Sequence, residues 1–204
     1  MCRCSNRSRL PRWRLFNDAA LQRLRGILAQ RPAIEIDAPQ HRRACVLIPL
    51  IRSGAGWSIL FTKRSEQLAA HSGQIAFPGG AVEAGETLHA AAVREAEEEV
   101  GIPPQHVELI GRLDDVITHS GFLVAPFVGV IHEPFDVVIQ EAEVVEVFQV
   151  PIEALLDPGN PEVRHVPFRG KEYPAYFYHH GLHEIWGLTG RMLKAFLDLV
   201  WVAL

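Results

Sequence analysis

The segment from Thr87 to Val100, TLHAAAVREAEEEV, constrains this chain more than any other. It has no internal Gly or Pro, and Gly101 follows it in the position usual just past a helix end, so the spacing predicts a helix over 87–100. At about 100° per residue, Glu95, Glu98 and Glu99 fall on one face, one turn apart, while Glu97 points elsewhere. Val93, Ala96 and Val100 form a separate apolar face suited to packing on a sheet. Three carboxylates near a helix C-terminus repel one another and oppose the helix dipole. Two readings account for such a comb. In one it is a solvated acidic face, with Arg94 pairing to Glu98 at i, i+4. In the other a cation removes both penalties. Magnesium and manganese prefer oxygen ligands, and magnesium keeps several waters while bridging to phosphates.

The residues ahead of the helix favour the cation. Phe77-Pro78-Gly79-Gly80 leads into Ala81-Val82-Glu83-Ala84-Gly85-Glu86. Adjacent glycines reach backbone geometry closed to other residues, and can turn carbonyls toward a metal or amides toward a phosphate. Gly85 offers a second sharp turn, and Glu86 favours the helix N-terminus.

The rest of the chain alternates strand-like and helix-like stretches. Asn17-Asp18 starts a helix running to about Ala29, with Leu21, Leu24, Ile27 and Leu28 at helical spacing. Arg43 to Ile51 reads as a strand, Ser53 to Gly56 as a turn, and Trp57 to Thr62 as the returning strand. A polar loop then runs up to Phe77. Further strands are expected over His106–Asp114, Phe122–Ile131, Val144–Val150, Pro161–Phe168 and Tyr173–His179. A short helix is expected over Pro151–Leu156, and a C-terminal helix from about His183 to Ala203. Strands framing a few helices without regular alternation predict an α/β domain around a mixed sheet. A single domain is expected over residues 17–204, with helices at both ends.

Residues 1–16, MCRCSNRSRLPRWRLF, carry Arg3, Arg7, Arg9, Arg12 and Arg14 with no acid before Asp18. They read as a solvated, disordered arm, or as an organelle-targeting or anion-binding segment. They lack the apolar centre of a secretory signal, and no stretch is long enough to span a bilayer. A net charge of −4 gives no global attraction to nucleic acid or to an anionic membrane. The three cysteines, Cys2, Cys4 and Cys45, argue against a disulfide framework and suit a reducing, cytoplasmic compartment. Cys45 sits in an apolar run and reads as a small buried hydrophobe. Ten histidines include no His-x-x-x-His helix, which argues against a zinc centre.

Gly80, five residues, Glu86, seven residues, then Arg94-Glu95-Ala96-Glu97-Glu98-Glu99-Val100-Gly101-Ile102 resembles the complete Nudix box. The resemblance implies an α/β/α sandwich around a mixed sheet and hydrolysis of a nucleoside diphosphate linked to another group. It implies Glu95, Glu98 and Glu99 as ligands of Mg2+ or Mn2+, with the Gly79 carbonyl as an addition and Arg94 orienting the carboxylates. Glu98 is then a second-metal ligand or a base. A later loop often supplies a further carboxylate in such enzymes; of Glu141, Glu143 and Glu146, Glu143 is ranked first.

Leu60-Phe61-Thr62-Lys63-Arg64-Ser65, then Gly73 and Phe77-Pro78-Gly79-Gly80, keep the register of the signature of the coenzyme A pyrophosphatases. Ser120-Gly121-Phe122, Glu143 to Phe148 and Ile185-Trp186-Gly187 extend the similarity over roughly residues 40–195. It implies Arg64, Ser65, Gly73, Phe77, Gly79 and Gly80 as substrate-binding residues. Arginine suits such an anionic ligand because its planar fork donates paired hydrogen bonds to phosphate. The chain departs from the signature at Phe61 and at Ala69, which stands where the pattern has Arg. Ala69 favours an alternative substrate: ADP-ribose, a dinucleoside polyphosphate or an oxidised nucleotide. A non-catalytic binding module of the same fold is a further reading, against which the three glutamates argue. The partner expected is a small nucleotide, foremost coenzyme A, with neither nucleic acid nor membrane; a homodimer is an assembly this reading allows.

Overall fold

The computed structural model describes residues 16–54, 56–65, 73–132, 135–168 and 170–204. Residues 1–15 of the arginine-rich arm, together with Ala69, lie outside them. Phe16, the last residue assigned to that arm, is buried in the core.

The architecture follows from one strand. β1 (Arg42–Ser53) is apolar on both faces, and its alternate residues feed two separate cores. Ala44, Ile48 and Leu50 belong to one core; Cys45, Leu47 and Ile51 belong to the other. β1 pairs in parallel with β7 (Phe122–Ile131) and antiparallel with β2 (Gly56–Arg64), which makes the sheet mixed. β2 pairs in turn with β3 (Ile75–Ala76) and β8 (Val144–Pro151). β7 pairs with β5 (Val107–Arg112) and β6 (Val116–Ile117). β4 (Gly79–Ala81) adds to the early part of β1.

Helix α2 (Leu88–Val100) covers one face, burying Ala91, Ala92, Ala96 and Val100 against Cys45, Leu47, Leu60 and Ala125. Helices α1 (Asp18–Gln30) and α4 (Gly187–Ala203) cover the other, with Leu24, Leu28, Met192, Phe196 and Val200 in its core. The result is the expected α/β/α sandwich. A separate three-stranded sheet, β9 (Glu162–Phe168), β10 (Lys171–His180) and β11 (His183–Ile185), packs beside α4. Among the described residues, no helix is long and apolar enough to cross a membrane.

Local signals set most boundaries. Asn17 caps α1 through Oδ1, accepting from the Ala20 N–H at 3.1 Å. Thr87 caps α2, and Gly101 ends it in the left-handed region at φ 74°. Cys45 is fully buried, and burial pushes its thiol up to about 12.

Several expectations need correction. The C-terminal helix starts at Gly187, not His183, because His183–Ile185 pairs with Tyr178–His180 in a hairpin. The short helix α3 spans Ile152–Leu155, with Pro151 as its cap, and β5 is confined to Val107–Arg112. The loop before α2 contains two strands, β3 and β4, too short for alternation to reveal.

Gly101→Ala should cost about 1–2 kcal/mol, because a Cβ there would enter left-handed backbone strain and sit 2.9 Å from Val138. A urea titration checks this: the midpoint should fall with its slope unchanged, and an unmoved midpoint would contradict the account.

Candidate active site

Glycine lets three elements meet. A Cβ on Gly79 would overlap the Cys45 carbonyl oxygen and lie 2.7 Å from Val46 Cα, so only glycine allows β4 to lie this close to β1. A Cβ on Gly80 would lie 2.5 Å from a Glu95 carboxylate oxygen, so the same gap admits the acidic face of α2. Leu47 N–H donates to the Pro78 carbonyl at 2.9 Å and anchors the approach to β4.

The glutamates of α2 separate by burial. Glu97 and Glu98 are exposed, Glu95 is partly buried, and Glu99 is 1% exposed. Glu99 Oε2 accepts the Gly79 N–H at 3.3 Å, and Oε1 lies 3.7 Å from the Arg64 guanidinium. Burial is the main reason its carboxyl is pushed up to about 8, with Glu95 and Glu143 adding repulsion against the opposing pull of Arg64 and Gly79. Burial likewise raises Glu95, which Arg94 partly offsets and which Glu98 and Glu143 raise further.

Arg94 is the hub. Nε and Nη2 grip both oxygens of Glu86 at 3.0 and 3.1 Å. Nη1 reaches Glu95 at 3.0 Å and Glu98 at 2.8 Å, while Nη2 also donates to the Ala81 carbonyl at 3.2 Å. These bonds occupy the donor directions of the planar fork. Hydrogen bonding to Arg94 therefore lowers the Glu86 carboxyl from its usual range. The sequence placed Glu86 at the helix N-terminus; the structure makes it the anchor of Arg94, a role signalled only by its fixed place in the Nudix box.

The remaining candidates divide. Arg64, Gly79, Gly80, Arg94, Glu95, Glu98, Glu99 and Glu143 come together. Glu143 lies in a turn whose carbonyl accepts the Ser65 N–H at 2.8 Å. Ser65 is itself buried, and Gly73, at φ 68°, returns its N–H to the Arg64 carbonyl at 3.2 Å, so both shape the end of β2. Phe77 is buried in the core on the α1/α4 side and stacks on Phe61 at 5.1 Å, so it supports the glycine bend from beneath. Glu146 is engaged by His183 at 3.0 Å, and Glu141 is exposed.

Among the described residues, no three His, Cys, Asp or Glu side chains stand as a ready-made metal cage, and Glu95 and Glu98 are both paired with Arg94. The donor set still fits a hard cation. Carboxylates of Glu95, Glu99 and Glu143 repel one another across a partly buried space, and a divalent ion offsets that repulsion. The ladder pairs Gly80 with Cys45 and leaves Gly79 between hydrogen-bonded positions, so its backbone groups turn from β1 toward these carboxylates.

Residues 40–169 match the NUDIX domain family. This chain belongs to the Nudix hydrolases. Curated relatives named uncharacterized Nudix hydrolase NudL share 39% identity in Citrobacter koseri, over 80% of this chain and 85% of the relative. In Photorhabdus laumondii the identity is 37%, over 79% and 87%. A MutT/nudix family protein of Enterococcus faecalis shares the fold, with TM-score 0.53, 16% identity, and 88% of this chain and 69% of that one covered. Membership makes the chain a pyrophosphohydrolase acting on nucleoside diphosphate derivatives, a chemistry for which Nudix hydrolases generally use a divalent metal.

Arg94→Lys should not be a conservative change, because an ammonium cannot reproduce the fork that binds Glu86, Glu95 and Glu98 together. Thermal unfolding should report a loss of about 1–3 kcal/mol, and a melting temperature equal to wild type would overturn the hub assignment.

Proposed function

We propose that this Nudix hydrolase cleaves the diphosphate bond of coenzyme A or its derivatives, giving 3′,5′-ADP and 4′-phosphopantetheine. The observation that carries this reading is Arg64. It closes β2 within a run resembling the coenzyme A pyrophosphatase signature, and its guanidinium stands 3.7 Å from Glu99 beside the Gly79-Gly80 bend. A cation there suits a ligand with a diphosphate and a further phosphate.

In this reading Glu95, Glu98, Glu99 and the Gly79 carbonyl hold Mg2+ or Mn2+. The ion, when bound, supplies positive charge against the diphosphate and the oxygen that leaves. Arg94 fixes Glu95 and Glu98 through the bonds described above. Water adds to one phosphorus, its proton passes to Glu98 or Glu143, and the anhydride P–O bond breaks with its electron pair on the departing phosphate. Catalysis here is positioning plus charge neutralisation, so small displacements of these side chains are costly.

Ala69 supports a second reading, hydrolysis of ADP-ribose, a dinucleoside polyphosphate or an oxidised nucleotide, because an expected phosphate contact is missing from the signature. Mass spectrometry of products formed from coenzyme A with magnesium separates the two. The first reading expects both named products; an intact coenzyme A alongside turnover of another diphosphate would favour the second. Glu98→Gln and Glu99→Gln should each lower kcat by orders of magnitude while circular dichroism stays native. Full magnesium-dependent turnover in both variants would refute the site.

A further inference from the structure

The two arginines of this site are used in opposite ways. The donors of Arg94 are filled by Glu86, Glu95, Glu98 and Ala81. Arg64 is about three-quarters buried, yet its Nε is shielded from solvent with no hydrogen-bond partner among the described residues. Among the described residues its ion pair is with Glu99, at 3.7 Å, too long for a hydrogen bond. A guanidinium normally fills its donors when it leaves water, so Arg64 retains unused capacity for an anion.

The aim of Arg64 is built in. Pairing between β2 and β8 shifts register between Lys63 and Arg64, and such an irregularity re-aims a side chain. Both backbone groups of Arg64 are held by one neighbouring segment, the N–H donating to the Gln74 carbonyl at 3.0 Å and the carbonyl accepting from Gly73 at 3.2 Å. Its side chain therefore stays beside Glu99, with Nη1 toward that carboxylate and Nε without a hydrogen-bond partner among the described residues.

We infer that Arg64 is a placeholder cation for Glu99, which a divalent ion displaces and which then pairs with a phosphate of the substrate. Arg64 and the ion compete for the same carboxylate, so they oppose each other in the free enzyme. Once the ion holds Glu99, Arg64 has no other ion-pair partner among the described residues, so its fork turns to the incoming diphosphate, which orders binding as ion first and substrate second. Arg64 is thus a positioning residue for Glu99 and a specificity residue for an anionic ligand. The inference rests on the metal reading of Glu95 and Glu99 given above.

The test is Mn2+ binding to the full chain without substrate, followed by electron paramagnetic resonance, for wild type, Arg64→Gln and Arg64→Lys. Arg64→Gln should bind Mn2+ about three- to tenfold more tightly, because the competing charge is gone. Arg64→Lys keeps that charge and should bind Mn2+ near the wild-type affinity. Both variants should raise KM for the diphosphate substrate about tenfold or more, since lysine lacks the paired donors. Equal or weaker Mn2+ binding by Arg64→Gln overturns the inference, as does a matching gain in Arg64→Lys or an unchanged KM in both. Failure of wild type to bind Mn2+ at all refutes instead the metal reading beneath it.

Discussion

A carboxylate buried with too little to satisfy it governs this site. Glu99 is 1% exposed and, among the described residues, holds one long backbone hydrogen bond and one distant guanidinium. Taking a charged carboxylate out of water costs several kcal/mol unless it is well paired. Glu95 and Glu143 make matters worse by repulsion. Every nearby device either tolerates that position or limits its cost: glycines that let β4 and α2 close on β1, Arg94 binding the more exposed acids, and Arg64 set at the end of β2. A helix face arranged in this way weakens the free protein, and it makes sense where a divalent cation is the intended partner.

The fold supplies the rigidity that such strained electrostatics need. β1 alternates between two cores, so a shift of one residue would exchange their contents and is strongly disfavoured. That locked register fixes Cys45 and Val46, and through them Gly79 and Gly80. α2 is fixed against the same strand by Ala91, Ala92, Ala96 and Val100, whose small side chains bring the helix close. Catalytic geometry thus follows from core packing, and the carboxylates inherit their positions from alanines on the opposite flank of the helix.

Much of this was legible in the sequence because the signals are local. The helix over 87–100, its Gly101 stop, the separation of Glu97 from its neighbours and the buried character of Cys45 follow from periodicity and residue chemistry. The Nudix assignment rested on fixed spacings within one window and is borne out by the family match. What escaped was non-local or too short to show a period. β3 and β4 have two and three residues, so no alternation could mark them, and β4 exists because Gly79 can lie against Cys45. β11 looked like the start of α4, since only pairing with Tyr178–His180 makes it a strand. The unequal burial of Glu95, Glu98 and Glu99 depends on how deeply α2 sits on the sheet, which a helical wheel does not record. Phe77 read as part of a ligand-binding run, whereas its ring lies in the opposite core.

The central claim is that these carboxylates gather a divalent ion, and thermal unfolding with and without Mg2+ tests it most directly. An ion bound only by the folded chain raises stability by mass action. In EDTA-treated protein, added Mg2+ should raise the melting temperature of wild type by several degrees, about 2–4 °C for each kcal/mol gained, and leave a Glu95→Gln/Glu99→Gln double variant unmoved. An equal shift in both proteins, or none in wild type, would contradict the account.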